Sequence, residues 1–84
     1  MPFKDKKIGI YKIKNIKNDK VYIGSAINIY RRFVTHKHLL RNNKHFNTHL
    51  QSSWNKYNSD NFIFEIVEEC EKSLLENREE FYIK

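Results

Sequence analysis

The sequence predicts a small α/β domain of the α+β kind. One three-stranded antiparallel sheet is flanked by helices in the order β-β-α-α-β-α. Three observations carry that prediction. Two β-branched and aromatic runs, Ile8–Lys14 and Lys20–Gly24, are joined by the turn formers Asn15-Ile16-Lys17-Asn18-Asp19. Two later stretches repeat apolar residues at helical spacing. A third apolar run, Phe62–Val67, is followed by a helix-start pattern.

The first two runs read as a β-hairpin. If Ile13 faces Tyr22, then Tyr11, Ile13, Tyr22 and Gly24 share one face. A slip of one residue would separate the two tyrosines. Asn28 is placed to cap a helix reaching about Arg41, with Ile29, Phe33 and Leu40 along one stripe. Arg32 and His36, four residues apart, lie together on an adjacent stripe.

A second helix is expected from about Asn47 to Tyr57. Phe46, Leu50, Trp54 and Tyr57 give it a buried face. Asn58-Ser59-Asp60-Asn61 reads as a turn. Phe62, Phe64 and Ile66 alternate with Ile63, Glu65 and Val67, which predicts a central strand covered on both faces. The last helix is expected to start at Ser73, because Ser73-x-x-Glu76 is a capping-box pattern. Its inner stripe is Leu75, Tyr82 and Ile83. Glu79 falls between Leu75 and Ile83, about 40° from each on a helical wheel. Glu76 and Glu80 point further outward, so one carboxylate of the three is aimed at the protein body.

Composition bounds the function. Eighty-four residues make one domain, spanning 1–84. A single cysteine, Cys70, excludes an internal disulfide framework and fits an intracellular setting. No stretch approaches the roughly 20 apolar residues that span a bilayer. Met1-Pro2-Phe3-Lys4-Asp5 has no apolar signal core. Residues 1–58 carry 13 Lys and Arg against Asp5 and Asp19, a net of +11, while residues 59–84 carry a net of −5. A basic stretch of that size attracts a polyanion through counterion release.

Gly9-Ile10-Tyr11 and Tyr22-Ile23-Gly24 sit on the two strands of the hairpin, their tyrosines eleven residues apart. Ser25-Ala26 follows, then Arg32 ten residues after Tyr22, His36 one turn later, and His45 beyond that helix. Arg78-Glu79-x-Phe81-Tyr82-Ile83 closes the series. This constellation resembles the GIY-YIG nucleases over essentially the whole chain. It is most similar to the catalytic heads of phage and intron-encoded homing endonucleases. The resemblance implies a DNA endonuclease, acting as a monomer with a divalent metal and no small-molecule cofactor. The alternatives are a repair or restriction nuclease of the same family, or a catalytically inactive nucleic-acid-binding module of the same fold.

The resemblance also implies roles. Glu79 is the expected metal ligand, for Mg²⁺ with Mn²⁺ able to substitute. Outside the last 26 residues the only carboxylates are Asp5 and Asp19, so a single metal is expected rather than a two-metal clamp. Arg32 is expected to brace the scissile phosphate with its planar fork of donors. Tyr11 is expected to activate or orient the attacking water. A phenol is a poor base unless a nearby cation lowers its pKa, and Arg32 and the metal are the cations at hand. Tyr22 is expected to contact the phosphate or support Tyr11. His36 and His45 are candidates for a proton relay or a phosphate contact. The family places an asparagine on a segment beyond the glutamate helix, so the domain is expected to be truncated at its C-terminus. His45-x-x-x-His49 has zinc-ligand spacing, but Cys70 alone makes a zinc site a thin case.

Overall fold

The structure, a computed structural model, describes residues 6–83. Residues 1–5 and Lys84 lie outside the described residues, and with them the reading of the N-terminus and Asp5. The strands are β1 (Gly9–Asn15), β2 (Val21–Ala26) and β3 (Phe62–Glu69). The helices are α1 (Ile29–Arg41), α2 (Thr48–Tyr57) and α3 (Leu75–Ile83). One short 3-10 turn precedes β3 and another precedes α3. The sheet is antiparallel in the order β2-β1-β3.

The hairpin forms in the expected register, with Ile13 opposite Tyr22 and Tyr11 opposite Gly24. β2 runs two residues further than predicted, to Ala26. The turn is held locally. Asn15 Oδ1 accepts the Lys17 amide at 2.9 Å, Asn18 Oδ1 accepts the Lys20 amide at 3.0 Å, and Asp19 takes a positive φ of 61°.

β3 corrects the prediction. It is an edge strand, and β1 is central. Phe62, Phe64 and Ile66 do face the helices, pairing with Asn15, Ile13 and Tyr11. Ile63 and Glu65 are exposed, because α3 is too short to cover the far end of the opposite face.

The main core lies under α1 and α2. Tyr11, Ile13, Ala26, Ile29, Leu40, Leu50, Trp54 and Phe62 are buried there, and Tyr22 and Phe33 pack against them. Each fully buried aliphatic side chain contributes roughly 1.5–3 kcal/mol. Asn28 and Asn47 cap α1 and α2, their side chains accepting the amides of Arg31 and Leu50 at 3.2 and 3.0 Å. Phe46 does not join the core. It precedes the cap of α2, stacks on His45 and is 68% exposed. Buried Gln51 joins Leu50 and Trp54 on the inner face of α2.

α3 covers the other face, where Ser25 and Glu68 flank Ile10 on the adjacent strands. The Ser73 capping box does not form. Ser73 already lies within the 3-10 turn Lys72–Leu74, so its side chain does not cap from outside the helix. The inner stripe of α3 is more polar than expected. Ile83 is 60% exposed, while Arg78, Glu79 and Tyr82 are half-buried. Arg78 donates through Nε and Nη2 to both oxygens of Glu68, each at 2.6 Å, and Tyr82 Oη donates to the same carboxylate at 2.7 Å. A polar clamp thus docks α3 where an apolar stripe was predicted. Among the described residues no helix is long and apolar enough to cross a membrane.

Candidate active site

Tyr11 occupies the middle of the central strand with its side chain 1% exposed. It lies across β2 only because its neighbour is Gly24. A Cβ there would run into the Tyr11 ring and hydroxyl. Phe33 of α1 braces the ring edge-on, with centroids 5.5 Å apart. Tyr22 follows on the same face, half-buried.

The hairpin and α1 meet at His36. Its Nε2 lies 2.6 Å from Tyr11 Oη. Its Nδ1 lies 2.7 Å from Nε2 of His45, in the loop between α1 and α2. His45 in turn accepts the Asn47 amide on Nδ1 at 3.0 Å. Buried Gln51 secures that loop. Its Oε1 accepts the His45 backbone amide at 3.0 Å, and its Nε2 donates to the Leu40 carbonyl at 3.0 Å. A hydrogen-bonded row therefore runs from a loop amide to the phenol.

Arg32, one turn before His36, is exposed yet acts on both tyrosines. Burial pushes the Tyr11 phenol well above its ordinary value. Tyr22 and Glu79 add to that rise, and the Arg32 guanidinium opposes it. Burial also raises Tyr22, with Glu79 contributing and Arg32 and the Tyr11 hydroxyl pulling the other way. Arg32 lines a groove of about 270 Å³ together with Lys6, Arg31 and Thr35. Both arginines face that groove, but only Arg32 acts on the tyrosines.

Glu79 comes from the other side. Its carboxylate accepts a hydrogen bond from the Ser25 hydroxyl at the end of β2. Among the described residues no lysine or arginine pairs with it; the ion pairs are Lys7–Glu69, Lys12–Glu65, Lys14–Asp19 and Arg78–Glu68. Of the six residues singled out from the sequence, Tyr11, His36 and His45 are joined by hydrogen bonds, while Tyr22, Arg32 and Glu79 are near enough to act on the Tyr11 phenol. Ser25 and Gln51 were not among them. Ser25 is adjacent to Gly24 in the motif, whereas nothing in the spacing of Gln51 distinguishes it from a solvated helix glutamine. His49 does not join His45; it lines a separate pocket of about 170 Å³ between the hairpin and α2.

The buried histidines predict acid sensitivity. Burial, with His45 and Arg32 adding to it, pushes His36 down to about 4 from an ordinary 6.5. Burial lowers His45 as well. An unfolded chain takes up these protons near pH 6.5, while the folded chain refuses them until lower pH. The stabilisation is therefore complete above pH 6.5 and lost as pH falls toward 4. At about 1.4 kcal/mol per pH unit, His36 alone accounts for roughly 2–3 kcal/mol between pH 7 and pH 4.5. For a domain of this size that is on the order of 10 °C in Tm. Thermal melts across this range check it. A flat profile would show that the pair is not held neutral.

Residues 7–84 match the GIY-YIG catalytic domain family. The chain is 44% identical over 82 residues to intron-associated endonuclease 1 of Enterobacteria phage T4, covering 93% of this chain. It spans 32% of the length of that relative. It is also similar to the solved catalytic domain of homing endonuclease I-TevI, with a TM-score of 0.84 and 42% identity over 92% of this chain and 85% of that one. A mutant of the I-TevI catalytic domain superposes with a TM-score of 0.83, also at 42% identity, covering 92% of this chain and 80% of that one. With the paired tyrosine motifs on adjacent strands, the arginine on α1 and the glutamate on α3, the chain belongs to the GIY-YIG family as a nuclease catalytic domain.

Proposed function

We propose that this domain is the catalytic head of a DNA homing endonuclease that hydrolyses one strand at a time with a single divalent metal, Mg²⁺. The observation that supports this best is the convergence of Tyr11, Arg32 and Glu79. A buried phenol with the His36 ring at its oxygen is acted on by an exposed guanidinium and by a carboxylate that, among the described residues, no lysine or arginine pairs with.

Each group has a task in opening a phosphodiester. Tyr11 acts as the general base once ionised: its phenol first releases its own proton to solvent, a step that the Arg32 guanidinium favours against burial, and the phenolate then takes a proton from the attacking water. Arg32 holds the scissile phosphate, with the basic groove beside it receiving the flanking backbone. Tyr22 supports Tyr11 and contacts the phosphate. His36 and His45 hold Tyr11 in place.

Glu79 fits a metal of a particular kind. Among the described residues no group of three His, Cys, Asp or Glu side chains gathers anywhere, so a closed protein cage is not available. One partly exposed carboxylate without a cationic partner suits a hard cation that keeps several waters and shares the substrate phosphate. Such an ion supplies charge neutralisation at the phosphoryl oxygens and at the leaving oxygen.

Supercoiled plasmid incubated with the domain and Mg²⁺ is expected to accumulate nicked circles before linear product, and EDTA is expected to stop the reaction. Cleavage unchanged by EDTA would overturn the metal reading. DNA binding without any cleavage in Mg²⁺ or Mn²⁺ would leave an inactive binding module.

A further inference from the structure

The row of hydrogen bonds behind Tyr11 has a direction. A backbone amide can only donate, so the Asn47 N–H at 3.0 Å leaves His45 Nδ1 as an acceptor. A neutral His45 then carries its proton on Nε2. That Nε2 lies 2.7 Å from His36 Nδ1, so His36 must accept there and carry its own proton on Nε2. The His36 Nε2–H, 2.6 Å from Tyr11 Oη, therefore donates to the phenol.

The opposite register is blocked at the far end of the row. For His36 to accept the Tyr11 proton and stay neutral, its Nδ1 proton would have to point at His45 Nε2. His45 would then carry a proton on Nδ1, facing the Asn47 amide with two donors head to head at 3.0 Å. The third possibility is a charged His36, and burial beside Arg32 and His45 disfavours that charge at neutral pH.

We propose that Gln51 is a positioning residue for the active site: it fixes the His45–His36 pair in the Nε2-protonated register, so that His36 is a permanent donor to Tyr11 and not its proton acceptor. Gln51 is suited to the task. It is buried, and it ties the His45 amide to the Leu40 carbonyl at the end of α1 through the two ends of one side chain. Its Nε2 also donates to Asn55 Oδ1 at 3.0 Å, so its amide orientation is set from two sides. With the loop so held, the Asn47 amide stays against His45. The phenol proton of Tyr11 is directed away from His36, toward Tyr22 and the open side of the site. A phenolate, once formed, keeps the His36 donor. The catalytic consequence rests on the reading of Tyr11 as the base, but the tautomer register does not.

Long-range ¹H–¹⁵N correlation spectra of the histidine rings at neutral pH test the register in the unmodified domain. Nε2-protonated neutral patterns for both His36 and His45 are expected. An Nδ1-protonated His36, or an imidazolium in either ring, would overturn the proposal. Gln51→Met, checked for folding by its amide dispersion, is expected to mix the His45 pattern. It should also lower single-turnover cleavage roughly 10- to 10²-fold with DNA affinity retained, the scale of a displaced catalytic group. Gln51→Glu keeps an acceptor for the His45 amide and is expected to recover part of both. A folded Gln51→Met domain with unchanged tautomers and rate would remove Gln51 from the role. If the register holds while Tyr11→Phe cleaves normally, the reading of Tyr11 as base is what fails.

Discussion

Glu79→Ala is expected to reduce cleavage to the metal-free background, a loss of roughly 10³-fold or more for several kcal/mol of transition-state charge stabilisation. The fold should tolerate the change. Glu79 is half-buried, its partner is the Ser25 hydroxyl, and no cation among the described residues depends on it. Losing one such hydrogen bond costs about 1 kcal/mol. Glu79→Gln sharpens the test, since it keeps an acceptor for Ser25 and removes the charge. It should be as inactive as the alanine variant. Electrostatics within the protein argue the other way. Glu79 opposes both phenolates, so its removal alone would let Tyr11 ionise more readily. A faster or unchanged reaction would therefore mean that Glu79 acts only on the tyrosines and binds no metal. A collapse of Tm would instead mark a structural role.

Much of the geometry of this candidate site was legible because its residues sit where local rules decide. The alternation of the hairpin fixes which face Tyr11, Tyr22 and Gly24 occupy. The cap at Asn28 sets the phase of α1, and with it the neighbours Arg32 and His36. Helical spacing aims Glu79 inward. What was not legible depends on where elements dock. Nothing local says that β3 is an edge and β1 the centre, because a strand alternating large apolar residues looks the same in either position. The inner face of α3 defeats periodicity for another reason. Arg78 and Tyr82 are half-buried against Glu68, ten and fourteen residues back on β3, and hydrophobicity alone does not distinguish a half-buried polar clamp from a solvated face. Phe46 fails in the opposite direction. Its side chain packs outward on His45, so an aromatic at core spacing sits in solvent beside the site. Gln51 belongs with Arg78, since its role exists only through two backbone partners in other segments.

Arg32→Ala and Tyr11→Phe are each expected to slow single-turnover cleavage by roughly 10²-fold or more, the scale of one lost transition-state donor or general base. The two variants should differ in every other respect. Tyr11→Phe deletes the oxygen that receives the His36 Nε2–H in a buried site, which costs stability on the order of 1–3 kcal/mol. Its residual activity should show no limb attributable to a phenol. Arg32 is exposed, so its loss should leave Tm nearly unchanged. Its signature lies in pH dependence. The Arg32 guanidinium favours the Tyr11 phenolate against burial, Tyr22 and Glu79. Without it the phenol pKa rises further, and the alkaline rise in rate should move to higher pH. Arg32→Lys should keep much of that electrostatic effect while losing the planar fork proposed to hold phosphate, so its profile should stay near that of the wild type at a reduced rate. Single-turnover rates from pH 6 to 9, with DNA affinity measured in parallel, separate these outcomes. If Arg32→Ala slows the reaction without moving the profile, Arg32 works on the phosphate alone, and Tyr11 ionises with help from His36 and the metal instead.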